Sequence, residues 1–336
     1  MSRRVQARGD SMINAYSIRN GALARTSVGS ADSIPTDAIW IDLFKPAPDE
    51  DLIVEASLGI AVPTQAEMVE IEPSSRLRIE NGARYMTASV VCHSETEEPT
   101  LSDVTFILTN GRLATVRYEE STPFRIAQPK LDRAAAGALR GDRVLLILLD
   151  TIIDRAADII ERLGGDIDAI SRRVFERDEA GETGSQRFRV LLRMLGRRGD
   201  LASKVRESLV SIGRLVTFLG TESEAQRFDK EQRALLKSMQ RDVTSLNDHV
   251  SYLGNKITFL LDATLGMVSI EQNNIIKIFA VLSVVLMPPT LIASVYGMNF
   301  QYMPELNEHW GYPIALAAML AAAVVPYLIF KWKRWL

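Results

Sequence analysis

Residues 278–299 read IFAVLSVVLMPPTLIASVYGMN, and neither they nor the residues onward to Pro304 carry a charge. Between Lys277 and Glu305 lie 27 uncharged residues, and a second such run, counting His309 as neutral, extends from His309 to Phe330. Each exceeds the roughly 20 residues that a helix rising about 1.5 Å per residue needs to cross a hydrocarbon layer about 30 Å thick. A core helix of that length usually keeps a polar stripe, and neither run has one on its lipid-compatible face. The two runs therefore read as a pair of transmembrane helices.

The flanks give the orientation. Trp310, Tyr312, Trp332 and Trp335 fall at the expected interfaces, and Lys277, Lys331, Lys333 and Arg334 stand at the other ends, where basic residues mark the cytoplasmic side. The hairpin Asn299 to Gly311 has no Lys or Arg and belongs outside, so both termini are expected in the cytoplasm and the chain in the cell inner membrane. Arg3, Arg4 and Arg8 have no apolar core behind them, so no secretory signal is expected ahead of the body.

The whole chain has 336 residues, with 39 Lys and Arg against 42 Asp and Glu, a net charge of −3 that gives no reason to expect a nucleic-acid partner. One cysteine, Cys92, excludes an internal disulfide framework and a thiolate-rich metal site, and three histidines leave little soft-metal chemistry.

Proline divides the body. Eight fall in residues 1–129, none in 130–287 and five in the rest, and long helices need the middle pattern. In the first part, Ala38–Leu43 reads as a strand. Arg76–Ile79 with Arg84–Cys92, and Asp103–Thr109 with Arg112–Tyr118, read as strand pairs joined by the Asn-Gly turns 81–82 and 110–111. Short helices are expected over Asp49–Leu58 and Thr64–Ile71. From about Lys130 the apolar residues recur at three and four, as in Val144, Leu145, Leu148, Leu149, Ile152 and Ile153. The acidic Asp150, Asp154 and Asp158 exclude a third span there. One very long helix is expected to run from about Glu224 through Lys277 into the membrane. The fold class that follows is an α+β membrane protein. Its parts are an N-terminal cytosolic α/β domain over 1–129, a helical region with a stalk over 130–277, a first span over 278–298, an external hairpin over 299–311, a second span over 312–330 and a basic tail over 331–336.

Within the first span Ser283, Thr290 and Ser294 are separated by seven and four, and Asn273 precedes Ser283 by ten. At the 3.5-residue period of a left-handed bundle all four share an arc of roughly 50°. The same seam carries Asp262, Ser269, Ile276, Ala280 and Met287. Small and hydroxylated residues also mediate plain helix packing in lipid. A chain with two spans encloses no wet path alone, so the conducting alternative requires a symmetric oligomer with this face toward the axis. At the end of the span, carbonyls near Gly297 and the Asn299 amide would present neutral oxygens suited to hydrated Mg²⁺, which gives up its waters reluctantly. The alternative for Gly-Met-Asn is a helix C-cap with Gly or Asn in the left-handed region.

Tyr296-Gly297-Met298-Asn299-Phe300 followed by Met303-Pro304-Glu305-Leu306, between two C-terminal spans and ahead of Lys331-Trp332-Lys333-Arg334, resembles the CorA family of magnesium and cobalt transporters. Trp40-Ile41-Asp42-Leu43 is similar to the start of that family's cytosolic domain. The resemblance implies a homopentameric funnel held in lipid, with Mg²⁺ as both transported and regulatory ion and no organic cofactor. It implies an external hydrated-ion site at Gly297, Met298 and Asn299, a pore lined by Thr290, Met287, Phe279, Ile276 and Asn273 with Ile276 and Phe279 at a hydrophobic gate, and a carboxylate ring at Asp262. Ser294 stands where some relatives have glycine. Asp242 is the candidate for the regulatory cytosolic metal site. Glu305 and Glu308, the only charges in the external hairpin, are read as attracting cations to the entrance.

The function expected is passive, potential-driven uptake of Mg²⁺, and secondarily Co²⁺ or Ni²⁺, gated by intracellular Mg²⁺. No phosphate-binding loop of the Walker type is present to power it otherwise. A zinc transporter of the same superfamily is the alternative, and a membrane-tethered enzyme or receptor the remote one. His93, His249 and His309 share no motif that would support catalysis.

Overall fold

The computed structural model describes residues 12–29, 33–70, 72–135, 139–175, 184–221, 228–299, 303–304 and 309–333. They divide into two compact units, Met1–Phe175 with Arg193–Leu260, and Glu176–Leu192 with Leu261–Leu336.

The first unit is built on a seven-stranded sheet. Its strands are β1 (Met12–Arg19), β2 (Ala22–Val28), β3 (Trp40–Phe44), β4 (Leu77–Glu80), β5 (Ala83–Cys92), β6 (Thr100–Thr109) and β7 (Arg112–Arg117), in the spatial order β2-β1-β3-β7-β6-β5-β4. Every neighbouring pair is antiparallel except β3 and β7. Three hairpins turn on the same dipeptide: Asn20-Gly21, Asn81-Gly82 and Asn110-Gly111, each with both residues at positive φ, 47° to 79°. Asn tolerates that region and Gly occupies it freely, which is what the tight turns matching strand twist demand.

One sheet face buries Ile13, Ile41, Leu43, Ile107 and Val116 against Val54 and Leu58 of α1 (Pro48–Leu58). The helix expected over Thr64–Ile71 is a single turn, α2 (Gln65–Met68). Thr64 and Glu67 cap it reciprocally, but only Met68 is buried, so nothing anchors a second turn. A further turn, α3 (Pro73–Arg76), leads into β4.

On the other side, Tyr16 stacks on Trp40 at 4.2 Å between ring centroids, and Phe124 of α4 (Thr122–Ala134) approaches Trp40 and Phe106 at 6.3 and 6.4 Å. The helix α5 (Gly141–Phe175) buries Val144, Leu145, Leu148, Leu149, Ile152 and Ile153, the residues that the periodicity singled out. Gly141 makes this possible, because a Cβ there would lie 2.5 Å from the Arg112 carbonyl carbon and the Leu113 nitrogen.

Two more long helices follow, α6 (Gly184–Leu219) and α7 (Lys230–Tyr296). The start expected for the long helix at Glu224 lies outside the described residues. At 67 residues α7 is about 100 Å long, and it passes Pro288 and Pro289 without a break. In the first unit Lys256 of α7 is ion-paired with Asp168 of α5, a bond that holds the Asp168 carboxyl below and the Lys256 ammonium above their ordinary values. The last helix is α8 (Gly311–Trp332).

Candidate ion pathway

Both α7 and α8 contain a window long and apolar enough to cross a bilayer, and only 6% of either window is buried within the chain. A core helix is covered by its own fold, so the core-helix alternative does not describe these two. Trp310, Tyr312 and Trp332 are exposed at the two ends of α8, as interfacial rings are. Trp335 and Arg334 lie outside the described residues.

On α7 the seam takes physical form. Ser283, Met287, Thr290 and Ser294 line one groove of about 560 Å³, flanked by leucines, so the hydroxyls share a face. The Ser283 hydroxyl donates to the Phe279 carbonyl at 2.8 Å and the Thr290 hydroxyl to the Leu286 carbonyl at 2.7 Å. Each hydroxyl proton is thereby tied back into the helix, leaving oxygen lone pairs facing outward. A hydrated cation presents water O–H donors, and acceptors without a proton of their own are what it needs from a wall. Upstream on the helix Asn273, Ile276 and Phe279 are exposed, the last two at 64% and 65%, and do not line this groove.

Pro288 and Pro289 form a signal that sequence patterning passed over. Neither has an N–H, so the carbonyls of Val284 and Val285 lose their helical donors. Two unmet carbonyls are costly against lipid and are better placed in a helix with one wet side.

At its C-terminal end α7 closes with Gly297 N–H donating to the Ala293 carbonyl at 3.0 Å and Met298 N–H to the Val295 carbonyl at 3.3 Å. Neither Gly297 nor Asn299 has positive φ, so the left-handed cap considered for Gly-Met-Asn is not formed. The chain instead leaves by a tightened last turn, with Met298 and Asn299 exposed. A helix C-terminus carries about half a negative charge, and no basic residue in the last turn of α7 cancels it. This end of α7 is thus electronegative before any carboxylate is counted. Glu305 and Glu308 lie outside the described residues.

Asp262 is exposed on α7. Asp242 is also exposed and accepts a hydrogen bond from Ser238 at 3.4 Å. Among the described residues no three His, Cys, Asp or Glu side chains, Asp242 included, converge to hold a metal.

Comparison with known proteins agrees in kind. The family profile described as CorA-like Mg²⁺ transporter protein matches residues 36–334. The magnesium transport protein CorA of Pasteurella multocida (strain Pm70) is 36% identical over 325 residues, covering 97% of this chain and 100% of that one. That of Salmonella typhimurium (strain LT2) is 35% identical over 325 residues with the same coverage, 97% and 100%. Among solved structures, the complete CorA magnesium transporter from Methanocaldococcus jannaschii superposes with a TM-score of 0.72 at 18% identity, covering 98% of this chain and 100% of that one. The ZntB cytoplasmic domain from Vibrio parahaemolyticus gives 0.55 at 10% identity, covering 77% and 98%. At those identities the two structures speak for the fold alone.

Proposed function

The chain belongs to the CorA family of Mg²⁺ transporters, and on that premise we propose that it forms a homopentameric channel in the cell inner membrane, passing Mg²⁺ inward along an axis lined by α7. The family is one of transporters and not an enzyme class. The observation that carries the reading is the groove on α7, where Ser283 and Thr290 have their hydroxyl protons tied to the backbone and their oxygens free.

The mechanism follows from the chemistry of the ion. A cation drawn to the electronegative end of α7 meets the Asn299 amide and the carbonyls at Gly297 and Met298, which hold it through its own waters. It then descends past Ser294, Thr290 and Ser283 with Met287 between them. Ile276 and Phe279 follow as an apolar constriction that stops water when closed, then Asn273 and the Asp262 ring. Two charges moving inward through 100 mV gain about 4.6 kcal/mol, so transport needs no further energy source. Co²⁺ and Ni²⁺, which also carry tightly held waters, pass less readily. Intracellular Mg²⁺ closes the pore by bridging carboxylates between cytosolic domains of adjacent subunits. Asp242, exposed and part of no three-ligand cluster among the described residues, is the residue assigned to that bridge.

The test is flux into liposomes holding a magnesium dye, with the oligomer's mass measured in parallel. Asn299→Ala is expected to abolish Mg²⁺ entry while the pentamer persists. Normal entry through that variant, or transport by a stable monomer, would overturn the proposal. Zn²⁺ run in competition separates a zinc transporter, for which Mg²⁺ would fail to compete.

A further inference from the structure

Within the sheet-bearing unit α7 has two opposite faces. Val243, Val250, Leu253, Ile257 and Leu260 recur at seven, three, four and three and are buried in the chain's own body. About half a turn away stand Asp248, Tyr252, Asn255 and Phe259, spaced four, three and four and all exposed, Tyr252 at 57% and Phe259 at 59%. Phe259 leans on Phe175 of α5 at 6.3 Å between ring centroids and Tyr252 on His249 at 6.1 Å, and these contacts cover neither ring. Two aromatic rings one heptad apart on the polar side of a helix mark a face built against something other than bulk water.

The carboxylates separate the same way. On α5, Asp150, Asp154, Asp158, Asp166 and Asp168 each meet a Lys or Arg. Among the described residues the side chains of Asp248 and Asp262 on α7 enter no ion pair and no hydrogen bond, although Asp248 shares the lining of one groove with Arg214. Counted in sevens along the sequence, Asp248 leads through Asn255 to Asp262, and on through Ser269 and Ile276 to Ser283 and Thr290. Six of these seven side chains carry oxygen and none is Lys or Arg. The companion count from Tyr252 through Phe259 reaches Asn273, Met287 and Ser294. The exposed face of the stalk is therefore in register with the seam of the proposed pathway.

We propose that the ion path does not end at the Asp262 ring but runs two heptads further, about 20 Å at about 1.5 Å per residue, with Asn255 as an intermediate station and Asp248 as a terminal carboxylate ring. Phe259 and Tyr252 form the wall between these stations. The proposal rests on the reading of α7 as the lining of a fivefold channel. An ion that keeps its waters needs weak acceptors at short intervals, and a neutral amide between two carboxylate rings supplies one without a trap deep enough to hold the ion. The aromatic rings turn negative π faces toward a cation and offer no ligand that could replace a water.

Mg²⁺ flux into dye-loaded liposomes is measured for the full-length protein carrying Asn255→Cys, labelled in detergent with a trimethylammonium methanethiosulfonate and then reconstituted. The wild type controls for the reagent, because its one thiol, Cys92, is buried and burial pushes it up to about 11. A fixed positive charge at position 255 should cut flux roughly tenfold, and the same label at Thr258→Cys, exposed on the flank of α7, should cost less than about twofold. Asp248→Asn should lower flux roughly threefold and Asp248→Lys further, with melting temperatures unchanged because the group is exposed and unpaired. Wild-type flux together with a dead Asn299→Ala supports the channel reading on its own. Within it, unchanged flux through labelled Asn255→Cys, an equal loss at Thr258→Cys, or wild-type flux through Asp248→Lys overturns the extension alone. No flux through the wild type overturns both.

Discussion

Arg117 donates to the Asp42 carboxylate at 2.8 Å across the one parallel pair of strands, with the two side chains only 13% and 3% exposed. The pair does not stand alone. Thr115 donates to the same carboxylate at 2.8 Å while accepting the Trp40 indole N–H at 3.0 Å, and the guanidinium lies 4.6 Å and 4.8 Å from the rings of Phe44 and Phe124. Every polar atom of this buried set has a partner, which is the condition under which a dry ion pair is tolerated. Arg117→Ala leaves the carboxylate uncompensated and is expected to cost about 3–5 kcal/mol. Combining it with Asp42→Asn should cost less than the sum of the two. Thermal unfolding followed by tryptophan fluorescence checks this, and strict additivity of the two losses would mean the residues do not act as a pair.

The sequence made Asp42 visible as part of Trp40-Ile41-Asp42-Leu43, but its partner lies 75 residues away and nothing local marks Arg117 as buried. The same limit applies to the sheet. The strand pairs around Asn81-Gly82 and Asn110-Gly111 were readable because apolar alternation flanks the turn. The hairpin at Asn20-Gly21 has the same turn chemistry, yet β2 buries only Leu23 and Val28 and gives no such pattern. The long helices were legible from periodicity and missing proline, and the hydroxyl seam from its spacing alone. What spacing does not reveal is where a hydroxyl proton goes, and that is settled by the i−4 carbonyls of Phe279 and Leu286.

Thr290 offers the sharpest test of the seam. Thr290→Val keeps the shape and removes the outward lone pairs, so Mg²⁺ flux should fall by roughly tenfold, equivalent to about 1.4 kcal/mol. Thr290→Ser restores an oxygen that can also bond the Leu286 carbonyl and should recover most of the flux. Dye-loaded liposomes measure both. Equal flux through the valine variant would assign Thr290 to helix packing.

Asp51 gives the sheet-bearing unit a pH dependence with a definite sign. Burial, with Glu55 and Glu50 beside it, pushes its carboxyl up to about 6 from 3.8. The folded state therefore holds a proton that the unfolded chain has released, and this contribution to stability is complete below 3.8 and lost as pH rises through about 6. Asp51→Asn removes the charge that is costly at neutral pH. Because the group is only part-buried and solvent screens it, the gain at pH 7.5 is discounted to about 1 kcal/mol. Melting temperatures of the two proteins should separate at pH 7.5 and converge toward pH 4, and a difference constant across that range would remove Asp51 as its source.

The entrance makes a prediction about salt. Glu305 and Glu308 follow the negative pole of α7 in the sequence, and the proposed fivefold arrangement would multiply both. Exposed charges act over the screening length, about 30 Å at 0.01 M ionic strength and about 3 Å at 1 M. If these carboxylates concentrate cations without selecting among them, Glu305→Gln with Glu308→Gln should cut Mg²⁺ uptake roughly threefold in dilute buffer and hardly at all in concentrated salt. The ratio of Mg²⁺ to Co²⁺ flux should stay fixed throughout, because the proposed function gives selection to Asn299 and not to these carboxylates. Uptake that falls equally at every ionic strength would instead make the glutamates part of the binding site.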